Sequence, residues 1–252
     1  MTAANPYALL LCLAAAAAPA ASARAACDDP PARRVNWLGC DKPGADLQGA
    51  DLRSAVLTRS NLAGANLSGA RLSGADFGRA NLEGADLTGA KMTGTRLVGA
   101  RLDGARLTGA DMPEARLERA GLAGADLSQA SLTGANLYAA DLTGAVLSGA
   151  DLSNANLTQA DLTDSRLDNA VLKDALLSKA VLEGVDFAGA DLQGARLDNT
   201  SLIDADFSDA DLSRADLHNA RIPGADFTGA RLGSAIWIDR KRCRPGSVGE
   251  CR

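Results

Sequence analysis

The side chains that could do chemistry in this chain are spread in a way that argues against catalysis. His218 is the single histidine. It follows Leu217 at a position expected to be exposed, and no nucleophile, glycine-rich phosphate loop or metal cluster is assembled around it. Asp and Glu are plentiful, but they recur at a fixed interval, where hydration and hydrogen bonding at chain corners account for them. No catalytic pair can be singled out. The residues imply no catalytic, cofactor-binding or metal site, so the expectation is a protein that is not an enzyme.

The cysteines carry the other possible chemistry. There are five, and setting aside Cys12 leaves an even four in two close pairs, Cys27 with Cys40 and Cys243 with Cys251. Short paired spacings in an exported protein suggest two disulfides. Zinc is the alternative, but a cysteine-only site needs four thiolates together, and these pairs flank a stretch of two hundred residues.

Residues 1–25 hold Leu9-Leu10-Leu11-Cys12-Leu13 and an alanine run, too short for a transmembrane span. Ala23-Arg24-Ala25 supplies an A-x-A-like cleavage site, so this segment is expected to be a signal peptide, although its first residues carry no Lys or Arg. Arg24 stands three before Cys27, where a lipidation motif should be apolar. The expected location is periplasmic or secreted.

These groups must be positioned by residues 45–237, one five-residue unit repeated in unbroken register, as in Ala45-Asp46-Leu47-Gln48-Gly49, Ala50-Asp51-Leu52-Arg53-Ser54 and Ala85-Asp86-Leu87-Thr88-Gly89. Each unit has a large apolar centre, nearly always Leu, and a small residue two before it, nearly always Ala. A helix would rotate successive centres by roughly 140° and form no apolar face. A plain strand fails because its period-two alternation breaks at every unit. A short extended segment followed by a corner fits: the small and large residues enter one interior together, and Gly, Ser, Thr, Asn and Asp turn the chain.

These units resemble the pentapeptide-repeat family, with its Ala-Asp/Asn-Leu pattern followed by two variable residues. The resemblance implies an all-β fold, a right-handed quadrilateral parallel β-helix with about four units per coil. The chain would then hold about nine to ten coils in a rod roughly 45 Å long at about 4.8 Å per coil. The expected organisation is a signal peptide (1–25), an N-terminal disulfide cap (26–44), the β-helix (45–237) and a C-terminal disulfide cap (238–252). Val35, Trp37 and Cys40 keep the five-residue phase, and Trp237 takes the last centre. A tryptophan and a disulfide loop would thus close each end, where a solenoid otherwise exposes a sheet edge. Counting by twenty stacks Phe187, Phe207 and Phe227, read as core packing. Pro113 and Pro223 follow a centre and should sit at corners, where a missing donor costs little.

Function on such a rod falls to the outward positions, chiefly the residue before each centre. Lys91, Arg96, Arg101 and Arg106 take that position on four successive sides, a basic belt with Arg116 and Arg119 beside it. Asp76, Asp86, Asp111 and Asp126 in adjoining coils offer partners for charge ladders. Val171, Leu176 and Val181 put apolar groups outward on successive sides, with Val146 near; such residues can mark an interface, although these point in different directions. The tail Arg240-Lys241-Arg242-Cys243-Arg244 is basic.

Lys and Arg number 26 against 31 Asp and Glu, a net charge of −5 with the signs interspersed, which argues against direct nucleic-acid binding. The reading is an exported scaffold meeting an unknown protein or an envelope component. The family resemblance adds an alternative, a DNA-mimicking inhibitor or protector of a type II topoisomerase. Nothing in the repeat selects one side, one partner or one oligomeric state.

Overall fold

A computed structural model describes residues 26–252; the proposed signal peptide lies outside the described residues. From Asn36 to Ile236 the chain winds so that the residue before each centre forms a parallel bridge with the residue twenty further on. One coil is therefore twenty residues, or four units, and each unit contributes one side. We number the sides by the residue before the centre: the first side runs Asn36, Val56, Asp76, Arg96 and onward, the second Asp41, Asn61, Asn81, Arg101, the third Asp46, Asn66, Asp86, Arg106, and the fourth Asp51, Arg71, Lys91, Asp111. Each corner carries the number of the side it follows. The sides are so short that every bridge is a single residue pair and no longer strand forms. The β-structure is a stack of isolated contacts.

Hydrogen bonding explains the composition of the unit. In Asn66–Ala70, the Asn66 N–H donates back to Ala45 O (2.9 Å), Leu67 donates on to Asp86 O (2.7 Å), Gly69 donates to Thr88 O (2.9 Å), and Ala70 closes the turn on Leu67 O (3.0 Å). The Ser68 N–H finds no backbone acceptor and instead donates to Asn66 Oδ1 at 3.2 Å. Since a buried donor must be satisfied, the Asp or Asn before the centre serves the turn. Gly78, Thr88, Ser128 and Thr228 donate likewise to Asp76, Asp86, Asp126 and Asp226. Pro113 and Pro223 occupy this same first turn position, where only a side chain would have accepted the missing N–H. The second turn residue lies at positive φ at every corner from Arg34 to Ser234, as a turn with its third residue left-handed requires.

The small and large apolar residues point inward as expected. The Leu, Phe and Met centres from Leu52 to Leu217 are completely buried, and their alanines nearly so. Phe187, Phe207 and Phe227 stack with centroids 4.9 and 5.1 Å apart and planes within 9°. Thr95, Ser60 and Thr200 replace alanine in the wall, and each donates its hydroxyl to a leucine carbonyl.

Each end of the ladder carries a disulfide. Cys27 and Cys40 are disulfide-bonded. Beside them Trp37 is buried, donates Nε1–H to Asp29 O at 3.2 Å, and carries the Lys42 ammonium 4.3 Å from its ring centroid, a cation–π contact in place of another centre residue. At the other end the chain folds back, and Val248 and Arg242 pair antiparallel with Arg231 and Ile236. The last coil's open edge is thereby occupied. The Cys243–Cys251 disulfide holds this flap, while Trp237, half-buried, meets Phe227 edge-on at 5.2 Å.

Candidate functional site

With the interior filled by packing, any function resides on the outside, and there the four corners are unequal. The second corner has glycine at its left-handed position in six successive coils, Gly44 to Gly144. The first corner instead carries Arg59, Arg79, Gly99, Arg119, Ala139, Gln159 and Lys179. A left-handed backbone costs an L-residue roughly 1–2 kcal/mol, and Asn or Asp tolerates it best. Arg59, Arg79 and Arg119 have φ of 58°, 58° and 56° and lack that local excuse. All three guanidinium groups are exposed and form no ion pair among the described residues. Arginine here is held against the backbone's preference in adjacent coils, whereas Arg34 and Arg214 take the same geometry singly at the fourth corner.

The predicted belt divides at this corner. Arg96 and Arg116 lie on the first side and Arg101 on the second, so these three flank Arg59, Arg79 and Arg119 and merge with them into one basic surface. Arg96 reaches Asp76 at 3.5 Å, Arg116 reaches Glu118 at 3.1 Å, and Arg101 pairs with Glu83. Lys91 and Arg106 belong to the fourth and third sides and do not join this surface. Arg106 stands between Asp86 and Asp126 and helps to lower both carboxyl pKa values; the larger causes are Thr88 for Asp86 and the Ser128 hydroxyl for Asp126. Of the expected ladder contacts, the one between Arg96 and Asp76 forms an ion pair.

Beside Arg59 and Arg79 the surface is notched. The first turn position that holds Thr58, Val98, Glu118 and Tyr138 in neighbouring coils holds Gly78 here, and it is buried. Thr58, Arg59, Gly78, Arg79, Arg96 and Val98 line a cavity of about 250 Å³. Asp76 holds two of the lining residues: Oδ1 accepts from the Gly78 N–H at 2.8 Å, and Oδ2 lies 3.5 Å from Arg96. A Cβ at Gly78 would stand 3.0 Å from that Oδ1. Reading the residue before each centre missed Arg59, Arg79 and Gly78, which lie on the turn. Counting those turn positions by twenty would have aligned them.

The remaining candidates separate. Val171, Leu176 and Val181 sit on the fourth, first and second sides; Leu176 is exposed and the other two are half-buried, so they form no single apolar patch. In the basic tail, Lys241 pairs with Asp239 at 2.6 Å. His218 is half-buried rather than exposed, because its ring turns back onto Asp216, with Nδ1 2.8 Å from Oδ1. Among the described residues, no group of His, Cys, Asp and Glu has metal-holding geometry and no helix is long and apolar enough to cross a membrane.

The profile of the family described as pentapeptide repeats matches in eight copies, across residues 44–137 and 165–233. The chain belongs to the pentapeptide-repeat family. Among solved structures, this repeat protein is similar to HetL, a pentapeptide repeat protein involved in heterocyst differentiation regulation from the cyanobacterium Nostoc sp. strain PCC 7120. Identity is 32%, with 83% of this chain and 92% of that one covered, at a TM-score of 0.51. A trypsin-treated form of QnrB1, a plasmid-mediated fluoroquinolone resistance protein, shares the fold at 23% identity and a TM-score of 0.55, covering 63% of this chain and 82% of that one. No curated protein matches the repeat protein.

Proposed function

We propose that the repeat protein is an exported, non-enzymatic scaffold that meets a protein or cell-envelope partner through its outer surface. The coil is taken as right-handed, with about nine to ten turns between the two caps, after the family. The observation that carries this reading is the pair of local disulfides, Cys27–Cys40 and Cys243–Cys251, each closing one end. Such bonds persist in oxidising compartments and are rare in the cytosol. The absence of catalysis draws support from how the repeated carboxylates are used, since they accept turn N–H groups.

The test is a fusion of the full chain to a reporter active only outside the cytosol, together with alkylation of the native protein. Reporter activity and four protected cysteines are expected. A silent reporter with Cys27, Cys40, Cys243 and Cys251 all reactive would overturn the reading.

A second reading, a DNA mimic directed at a type II topoisomerase, is favoured by one observation. Between residues 131 and 237 there are sixteen Asp and Glu against seven Lys and Arg, so half of the rod is strongly acidic. Inhibition of DNA supercoiling by the purified protein would select it.

A further inference from the structure

We propose that the notch at Gly78 is a binding site for a phosphate group, which would make a phosphate-bearing molecule the ligand of the basic corner. This deepens the scaffold reading, since it takes the corner as the surface that meets a partner, but it does not depend on export.

Three features support it. First, Arg59 and Arg79 in successive coils, together with Arg96, line the same cavity. A terminal phosphate offers three oxygens to guanidinium groups approaching from different sides, whereas a carboxylate offers two in one plane. Second, Arg59 and Arg79 have no ion pair of their own, and Arg96 has only the 3.5 Å contact with Asp76. Third, space is open at the notch: glycine stands at Gly78 where the neighbouring coils carry Thr58 and Val98. Charge alone would not require the notch.

The left-handed backbone also provides a clean experiment, because glycine at 59 and 79 removes the ligand's partners without straining the fold. Binding of inorganic tripolyphosphate to the purified protein with both disulfides intact is measured by calorimetry at low and physiological salt. Saturable binding that weakens with salt is expected. Arg59→Gly with Arg79→Gly should weaken it at least tenfold without lowering the melting temperature, and Gly78→Glu should abolish it by filling the notch. Arg214→Gly is the control: it removes an exposed arginine at φ 63° elsewhere on the rod and should leave binding unchanged.

Vesicles of phosphatidylglycerol, compared with phosphatidylcholine, identify the source. Retention on the former that the double glycine variant loses assigns a lipid headgroup, and tripolyphosphate binding without retention assigns a soluble phosphate. The proposal is overturned by no tripolyphosphate binding, by equal binding in the double glycine variant or the Arg214 control falling as far, or by equally tight binding of a polyglutamate of matched charge. An exported protein that fails this assay would lose the notch and keep the scaffold reading; a cytosolic protein that passes it would do the reverse.

Discussion

The first and second corners of the coil are built by the same turn, yet they differ in what they display. From residue 44 to 144 the second corner has glycine in every coil, while the first carries Arg59, Arg79 and Arg119 at the same backbone angles. Behind both, the interior is the same: Leu97 and Leu102, the centres of the first and second sides in one coil, are completely buried. The contrast teaches that in a repeat whose interior is uniform, the turn reports where something beyond folding acts. Glycine marks a corner that has only to bend. Arginine at that angle in successive coils, as at Arg59 and Arg79, marks a corner proposed to have a further task, whereas Arg34 and Arg214 stand singly at the fourth corner.

The comparison rests first on the equivalence of the interior, and the largest expected effects test it. Leu97→Ala and Leu102→Ala should each destabilise the rod by about 2–5 kcal/mol and by similar amounts in denaturant melts. A marked difference would mean that the two sides are packed differently and that the corners cannot be compared through the turn alone. The turn itself is tested by exchange. Gly104→Arg, whose Cβ would meet nothing within 4 Å, should cost about 1 kcal/mol from the backbone angle alone. Arg79→Gly should be neutral or gain up to about 1 kcal/mol. If Arg79→Gly is clearly destabilising, the arginine is there for stability.

The smallest effect concerns a device common to all four corners, the Asp or Asn that caps the turn, seen on the third side at Asp86 and Asp126 and on the fourth at Asp51. The Ser128 hydroxyl holds the Asp126 carboxyl below its ordinary value; burial opposes it, and the Ser128 N–H, Thr108 and Arg106 reinforce it. Thr88, whose N–H donates to Asp86 Oδ1 at 2.9 Å, does the same for Asp86, and the Arg53 guanidinium lowers Asp51 to about 2. A carboxyl whose folded pKa is depressed stabilises the fold above its unfolded pKa, near 4, and that contribution is lost as pH falls toward the folded value. The melting temperature should therefore be flat from neutral pH to about 5 and decline below about 4. Asp86→Asn with Asp126→Asn keeps the Oδ1 acceptor for the turn. It should change stability at neutral pH by less than about 1 kcal/mol and make the acid decline shallower.

Much of this architecture was legible in the residues. The spacing of Ala and Leu gave the inward face, the count of twenty gave the phenylalanine stack, and the paired cysteines gave the two closures, because each depends on which residues share a column. The merging of Arg96, Arg101 and Arg116 with Arg59 and Arg79 was not legible. Read with period five, all corners are alike, and the residue before the centre draws attention while the turn is taken as spacer. Whether Lys91 and Arg106 join the same surface depends on side and reach, as does the inward turn of His218 onto Asp216. Gly78 was hidden for another reason: a glycine in a glycine-rich repeat looks ordinary until its neighbours in the column are known.

The twenty-residue register also constrains how such a chain can change length. Inserting one unit beyond residue 140 would leave the interior as well packed as before, but it would turn everything downstream by a quarter revolution. Lys179 and Asn199, now in line with Arg119, would move to a neighbouring edge, and the acidic half would face a new direction relative to the basic one. Only insertions or deletions of a whole coil would preserve their alignment. The molecule can thus be lengthened almost freely, while the relative bearing of its two halves is quantised.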